Sequence, residues 1–217
     1  MKKLLLILFC LPFIGFGQII NIMNFNDSAN YGWSGSTELE YDYNKSANID
    51  MEIINTSSLQ WNNEFWTIFF LNEIDFNRGG NIDFANDAIQ HLRLSYHVID
   101  KYTIESFVQN HYDIVKNIEN RKSVSLGMRT KIPILQIIGF NALYEYENLT
   151  YGQSNKDYRF QADNYISFKI SEKLKVSNSV SYQLKIEDIF DYRLEIDAAI
   201  SLLLFKNLFL TNSFSLA

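Results

Sequence analysis

Cysteine is almost absent from this chain of 217 residues, whose one cysteine is Cys10. Because Cys10 lies in an apolar N-terminal segment, the rest of the chain has no disulfide, no thiol nucleophile and no thiolate metal ligand. Proline is nearly as scarce, with only Pro12 and Pro133. Proline removes a hydrogen bond from a strand ladder, and we expect Pro133 at a turn.

Long apolar runs are also lacking outside the N-terminus. Two lysines, an apolar run at residues 4–14 and small residues before Gln18 predict a secretory signal peptide over residues 1–17. A lipoprotein signal with Cys10 as the lipidated residue is disfavoured, because bulky residues precede it. No later segment approaches 18 apolar residues, so we expect no transmembrane helix.

Basic charge is in deficit. Without the two lysines of the signal peptide the chain has 17 basic and 25 acidic residues, a formal net charge of −8. This balance argues against a nucleic-acid partner, which would need a basic face. The phosphate-binding pattern G-x-x-x-x-G-K-[ST] is absent, and we interpret the glycines of "NRGGN" (77–81) as a loop tip.

What the chain has is a persistent alternation of apolar and polar residues, as in "LKVSNSVSYQLK" (174–185) and "YRLEIDAAISLL" (192–203). Alternation predicts strands with one apolar and one polar face. We predict eleven, at roughly 31–43, 49–61, 65–76, 86–98, 103–115, 122–132, 134–147, 158–170, 174–185, 191–204 and 207–216. Most reach the ~9–11 residues of a tilted membrane-spanning strand, whereas globular strands average about 5–6.

The predicted fold is therefore all-β, an antiparallel up-and-down transmembrane β-barrel over residues 31–217, after an N-terminal periplasmic segment at 18–30. Tight connections after even-numbered strands and longer, polar ones after odd-numbered strands fit that architecture. Single-chain bacterial barrels have an even strand number. Eleven visible strands thus predict a twelfth, C-terminal closing strand missing here, with a miscount or a strand from "IINIMNF" as alternatives.

The apolar faces carry aromatic residues near the strand ends. Tyrosine and tryptophan favour the membrane–water interface, so we predict interface positions for Trp33, Trp61, Trp66, Tyr96, Tyr112, Tyr182 and Tyr192. The competing interpretation is a soluble sandwich rich in aromatics. Asn72, Asn110, Asn164 and Asn178 fall on the predicted apolar face and weaken the membrane interpretation.

The polar faces would line the barrel lumen. The predicted lining includes His91, Arg93, His97, Glu105, Gln109, His111, Arg159, Asp163, Arg193, Glu195 and Asp197. Acidic residues dominate on strands 1 to 3 and basic residues on strands 6 to 10, which predicts two walls of opposite charge.

Two of the three histidines lie in "HLRLSYHV" (91–98), and the third is His111. A turn centred on Lys101 would place His91 opposite His111, with Asp113 nearby, and His97 opposite Glu105. Directly opposed residues have Cβ atoms about 4.5–5.5 Å apart, close enough for a zinc or copper site. The favoured alternative is a hydrated lumen network with no metal and no cofactor.

Several segments together resemble one known family. They are "GWSGSTELEYDYNKS", "AIQHLRLSYHVIDKYTIESFVQNHYDIV", "RKSVSLGMRTKI", "NALYEYEN" and the pair "DYRFQADNYISFKISEKLKVSNSVSYQ" and "DYRLEIDAAISLLLFKNLFLTNSFSL". Their order and spacing resemble the salt-induced outer-membrane proteins, a β-barrel family with a domain of unknown function. The resemblance covers almost all of residues 19–216, except that family members continue with a closing strand that ends in an aromatic. It implies an outer-membrane barrel and supplies no catalytic residues.

We therefore expect an integral protein of the bacterial outer membrane, in contact with its lipids and inserted by the barrel-assembly machinery. Its expected activity is a narrow channel or an envelope-stress role, and not an enzymatic one. One alternative is an outer-membrane lipid or acyl hydrolase, for which Ser95 and His97 share a face, although no nucleophile elbow or third member is evident. The other alternative is a soluble periplasmic ligand-binding barrel.

Overall fold

The computed structural model describes residues 31–45, 49–133, 136–205 and 208–216. The predicted signal peptide (1–17) and periplasmic segment (18–30) lie outside the described residues, so both stay predictions. Within the described part of the chain, no helix is long and apolar enough to span a membrane.

The structure is one antiparallel sheet in which each strand pairs with the next along the chain. Its strands are β1 (Gly32–Lys45), β2 (Ile49–Asn62), β3 (Trp66–Gly79), β4 (Ile82–Ile99), β5 (Tyr102–Asp113), β6 (Ile118–Ile132), β7 (Gln136–Leu149), β8 (Ser154–Lys169), β9 (Leu174–Lys185), β10 (Tyr192–Phe205) and β11 (Leu208–Leu216). The predicted all-β, antiparallel up-and-down architecture is confirmed, as is the number of visible strands.

The predicted contrast between short and long connections is largely wrong. Residues 77–85 were expected to form a long loop, but β3 and β4 extend through them to a two-residue turn at Gly80–Asn81. Gly80 has a φ of 61°, the left-handed conformation that such a turn requires. Likewise β6 begins at Ile118 rather than at 122. Polar strand extensions had the composition of loops, so alternation alone did not find them.

The strand registers show that the strands are strongly tilted. β2 ends at Asn62, which pairs with Thr67, and the ladders lead from Thr67 strand by strand to Arg193 on β10. β10 continues past Arg193 to Phe205. From β2 to β10, the strand ends at the even-numbered connections are therefore displaced by roughly 40 Å along the strands over a sheet width of roughly 38 Å. The resulting tilt of about 45° is that of a β-barrel.

The two faces of the sheet differ in the way the alternation predicts, but with polarity reversed relative to a soluble protein. On β4, Leu92 and Leu94 are 45% and 43% exposed, whereas Arg93 between them is 4% exposed. The same pattern runs through β5 to β9, where the buried side chains are mostly polar or charged. The apolar face is therefore outward and the polar face is inward.

The sheet is not closed in the described residues, where no ladder joins β1 to β11. Because strand direction alternates, the two edge strands β1 and β11 run in the same direction, and an antiparallel closure between them is excluded. β1 is exposed along almost its whole length on both faces. The expected twelfth strand stays a prediction.

Gly127 on β6 provides a test of how tightly the inner face is packed. A Cβ at this position would overlap both the Asn141 side chain and the Phe140 carbonyl oxygen. We expect Gly127→Ala to lower the free energy of unfolding by about 1–3 kcal/mol, as overpacking does. Urea unfolding of the folded protein in detergent measures this. Ser123→Ala, on the same strand and face, is the control, and equal stability of the two variants would contradict the packing.

Candidate functional site

The inner face of seven strands, β4 to β10, closes around a small cavity of about 20 Å³. Its lining includes His91 on β4, Arg121 on β6, Glu145 on β7 and Arg193 on β10. A polar cavity of this size holds about one water molecule. Side chains therefore fill the interior on this side of the curled sheet.

Three arginines converge on one carboxylate beside this cavity. Arg193 donates from both terminal nitrogens to the two Glu145 oxygens at 2.8 Å each. The Nε atoms of Arg159 and Arg121 lie 3.4 and 3.8 Å from Glu145 oxygens. These four side chains, the arginine cluster, are at most 11% exposed. The cluster ties β6, β8 and β10 to β7, so it holds the sheet in its curl.

Neighbouring carboxylates balance the remaining charge of the cluster. Arg121 donates from Nε to Glu147 at 2.7 Å, and Arg159 lies 3.0 Å from Asp191 and 3.7 Å from Asp157. Asp157 also accepts from Lys185 at 2.7 Å. Around the arginine cluster the basic side chains of the β6 to β10 wall are therefore paired with carboxylates, whereas no described ion pair engages Lys131, Lys169 or Lys175 further along the same face.

A second buried group lies further along the same face. Glu105, 1% exposed, accepts from Arg93 at 3.3 Å and lies 3.7 Å from Nε of Arg129. Asp163 accepts from Ser181 at 2.5 Å and from Gln161 at 2.7 Å. The two carboxylates thus occupy sites with several donors each, which is how a protein interior accommodates charge.

The predicted opposition of His91 and His111 is wrong. His91 pairs with Gln109, and His111 pairs with Ile89. The cause is a two-residue turn at Asp100–Lys101 followed by a register shift between His97 and Ile99, which moves the pairing by two residues. Both ring nitrogens of His111 are buried, and neither has a hydrogen-bond partner among the described residues.

The same shift separates His97 from Glu105, its predicted partner. His97 lies opposite Thr103, and its ring nitrogens are 2.9 Å from Thr67 Oγ1 and 3.2 Å from Thr103 Oγ1. Ser95, which pairs with Glu105, is fully buried, and its hydroxyl has no hydrogen-bond partner in the part of the chain that the structure describes. Ser95 and His97 therefore do not form the nucleophile–base pair that the hydrolase alternative needs.

Among the described residues, no group of three or more His, Cys, Asp or Glu side chains is arranged to hold a metal ion. His91, His111 and Asp113 all lie on the inner face, but on two strands in a staggered register. Their arrangement does not match a zinc site, in which three or four ligands meet at about 2 Å from one ion.

The acidic side of the interior has a different character. Asp75, Asp87 and Asp113 are directly opposed in register on β3, β4 and β5, and we call them the aspartate row. Like charges placed directly opposite one another are unfavourable. Asp113 is paired with Lys116 at 3.4 Å, whereas no described ion pair engages Asp75 or Asp87. This part of the inner face thus carries uncompensated negative charge.

The remaining predicted lining residues also lie on the inner face. Gln109 contacts His91 at 3.2 Å, Glu195 is 7% exposed and Asp197 accepts from Ser179 at 3.3 Å. Glu145 and Arg121, central to the arginine cluster, were not singled out from the sequence. Alternation does place Glu145 inward in "NALYEYEN", but only the curl shows that Arg193, three strands away, reaches it.

The predicted interface aromatics lie on the outward face, and several form pairs across neighbouring strands. Ring centroids are 6.5 Å apart for Trp33 and Trp61, 4.6 Å for Trp66 and Tyr96, and 5.9 Å for Tyr182 and Tyr192. The first two pairs lie near the connections that follow even-numbered strands, and the third lies near the opposite end. Tyr112 lies at this opposite end of β5 and is half-buried.

Comparisons with known proteins found little similarity to this chain. No family model matches it, and no curated protein matches it. Among solved structures it is similar to one described as "NanC porin structure in rhombohedral crystal form", with 11% identity and a TM-score of 0.48. The match covers 84% of this chain and 85% of the porin chain.

The arginine cluster provides a direct stability test. Glu145→Gln leaves three buried guanidinium groups without their shared carboxylate, so we expect a loss of about 3–5 kcal/mol in the free energy of unfolding. Urea unfolding measures it. Arg78→Gln, which breaks the exposed Arg78–Asp83 pair, should leave the stability nearly unchanged. Similar losses for both variants would contradict a special role for the buried cluster.

Proposed function

We propose that the chain is an integral β-barrel of the bacterial outer membrane. The observation that supports this most is the inverted distribution of polarity, with charged side chains buried inside and apolar side chains exposed outside. A soluble protein that exposed so continuous an apolar surface would aggregate, whereas lipid solvates such a surface. This inversion also argues against a soluble periplasmic barrel.

The height of the outward apolar surface, which we call the apolar belt, fits a bilayer. On β10 the outward residues from Tyr192 to Leu204 are all apolar or aromatic. At a tilt of about 45°, this span rises roughly 28 Å, close to the ~25 Å apolar band of outer-membrane barrels.

Several outward polar residues are hydrogen-bonded to a neighbouring strand, which weakens an objection to lipid exposure. Asn178, one of the four asparagines that weakened the membrane interpretation, donates to the Asp197 carbonyl at 3.2 Å. Ser106 donates to the Ser125 carbonyl at 2.7 Å. Asn110 accepts from Asn120 at 3.0 Å. Polar groups that are hydrogen-bonded locally cost far less in an apolar environment than free ones.

For its activity we propose a narrow channel that prefers cations. The arginine cluster and its neighbours fill one side of the interior, so a pathway would follow the other side, along β1 to β5. That side carries the aspartate row and exposed inward carboxylates such as Glu38 and Glu40. Rings or rows of carboxylates favour cations in a pore.

Membership of the salt-induced outer-membrane protein family is a further part of the proposal, and it rests on the resemblance of the quoted segments. It would fit an envelope-stress role. The hydrolase alternative has no supporting geometry, because Ser95 is enclosed and His97 is engaged by two threonines. We therefore propose no enzymatic activity.

The membrane proposal is tested by depth-dependent fluorescence quenching. The mature chain would lack Cys10, so single cysteines can carry a bimane label. In vesicles of brominated phospholipid we expect strong quenching for Ile200→Cys, which faces outward. We expect weak quenching for its neighbour Ser201→Cys, which faces inward. Equal quenching at both positions, or failure of the protein to enter the vesicles, would overturn the proposal.

The channel proposal is tested in planar bilayers under a salt gradient. We expect a small conductance with a zero-current potential on the cation-selective side. The double variant Asp75→Asn/Asp87→Asn should move that potential toward zero, because it removes uncompensated lumen charge. Asp100→Asn, at the exposed β4–β5 turn, should not. Persistent absence of current would contradict the channel proposal, although it would leave the membrane proposal intact.

A further inference from the structure

A groove of about 760 Å³ lies on the outward surface over β3 to β7. Phe70 and Tyr144 stand on either side, whereas Val108 and Val124 between them are short. The depression therefore follows from side-chain length: two valines lie in register between larger neighbours. The four residues belong to one row across the sheet, which continues the apolar belt.

The next row across the sheet is polar, although it faces outward. Its members, which we call the outer polar row, are paired in register as Asn72, Gln90, Asn110, Lys122, Tyr146 and Lys156. The row contains two lysines and no carboxylate. On β5 to β8 each member lies within about four residues of the strand end, near the connections that follow odd-numbered strands.

The hydrogen-bonding groups of this row are only partly used within the chain. Asn110 accepts from Asn120 at 3.0 Å, and the Lys156 ammonium lies 6.0 Å from the Tyr146 ring centroid. In the described residues, no hydrogen bond or ion pair engages the exposed Gln90 amide or the exposed Lys122 ammonium. Lys122 and Gln90 both line the groove. A cation and an amide donor two strands apart in one row, next to a row of apolar side chains, are complementary to an anionic amphiphile.

We propose that this groove binds a phosphate-bearing lipid of the leaflet at the odd-connection end of the barrel. The lipid phosphate accepts from Lys122 and Gln90, and Lys156 adds positive charge along the same row. One acyl chain lies over Val108 and Val124. Charge-assisted hydrogen bonds to phosphate give the contact its specificity, and burial of the chain against the apolar row adds affinity.

This inference rests on the proposed membrane location and goes beyond it. Contact with lipid chains accounts for the apolar belt but does not require a polar row beside it. Selective binding of a phosphate-bearing lipid accounts for the row as well. The predicted periplasmic segment over residues 18–30 precedes β1 and places its start on the periplasmic side, so the odd connections face the exterior. The lipid is therefore one of the outer leaflet, where phosphate groups close to the bilayer surface are abundant.

The test uses the folded chain in phosphatidylcholine nanodiscs, without and with added diphosphoryl lipid A. Bound lipid is counted by native mass spectrometry after transfer to detergent, and thermal unfolding is followed in parallel. We expect retained lipid A and a higher unfolding temperature. Lys122→Gln should weaken retention roughly tenfold, the equivalent of one charge-assisted contact. Lys101→Gln, at the opposite end of the barrel, is the matched control and should bind like the parent chain.

Each other outcome overturns the inference in a distinguishable way. Insertion into nanodiscs with equal retention in the parent and Lys122→Gln chains would mean that the groove is ordinary lipid-facing surface. Equal loss with Lys101→Gln would mean a general charge effect. Stabilisation by inorganic phosphate alone, added to the same nanodiscs, would mean that the groove binds a free anion rather than a lipid. Failure to enter nanodiscs would overturn the membrane proposal together with this one.

Discussion

The convergence of Arg121, Arg159 and Arg193 on Glu145 is the interaction on which the rest of the structure depends. Backbone ladders join each strand only to its neighbours, and they would permit a flat or a curled sheet. Arg121 and Arg159 reach Glu145 from the adjacent strands β6 and β8, whereas Arg193 lies three strands away on β10 and meets Glu145 only because the sheet curls. Since buried charges must be paired to be tolerated, the inner face can be enclosed only in this arrangement.

That constraint also explains the asymmetry of the interior. Where carboxylates and guanidinium groups alternate across β4 to β10, they neutralise one another and leave room for about one water molecule. Where aspartates face aspartates on β3 to β5, the side chains cannot pair with one another, so the charge on this side is not neutralised in the same way. The outward face obeys the opposite rule, with its few polar groups hydrogen-bonded locally or gathered in one row near the strand ends.

Alternation predicted the strands and their faces well because it is a local property with a period of two residues. It placed Arg93, Glu105 and Arg159 inward and Leu92 and Leu94 outward, where the structure has them. Register was predicted poorly. One turn at Asp100–Lys101 and one irregularity near His97 moved the pairing by two residues. That shift left each side chain of β4 and β5 on its predicted face but changed the residue opposite it, so the predicted His91–His111 pair does not form. The lengths of the connections were predicted poorly for a related reason, since polar strand extensions and loops have similar compositions.

The sequence by itself determined the fold class, the inside and outside of each strand, and the absence of thiol chemistry beyond Cys10. Each of these depends on residue type and on a two-residue period. Only the tertiary structure decided which charges meet. Glu145 lies 48 residues from Arg193 along the chain, and the outer polar row spans six strands. Such contacts depend on register, tilt and curl added over many strands, and no local pattern contains those quantities.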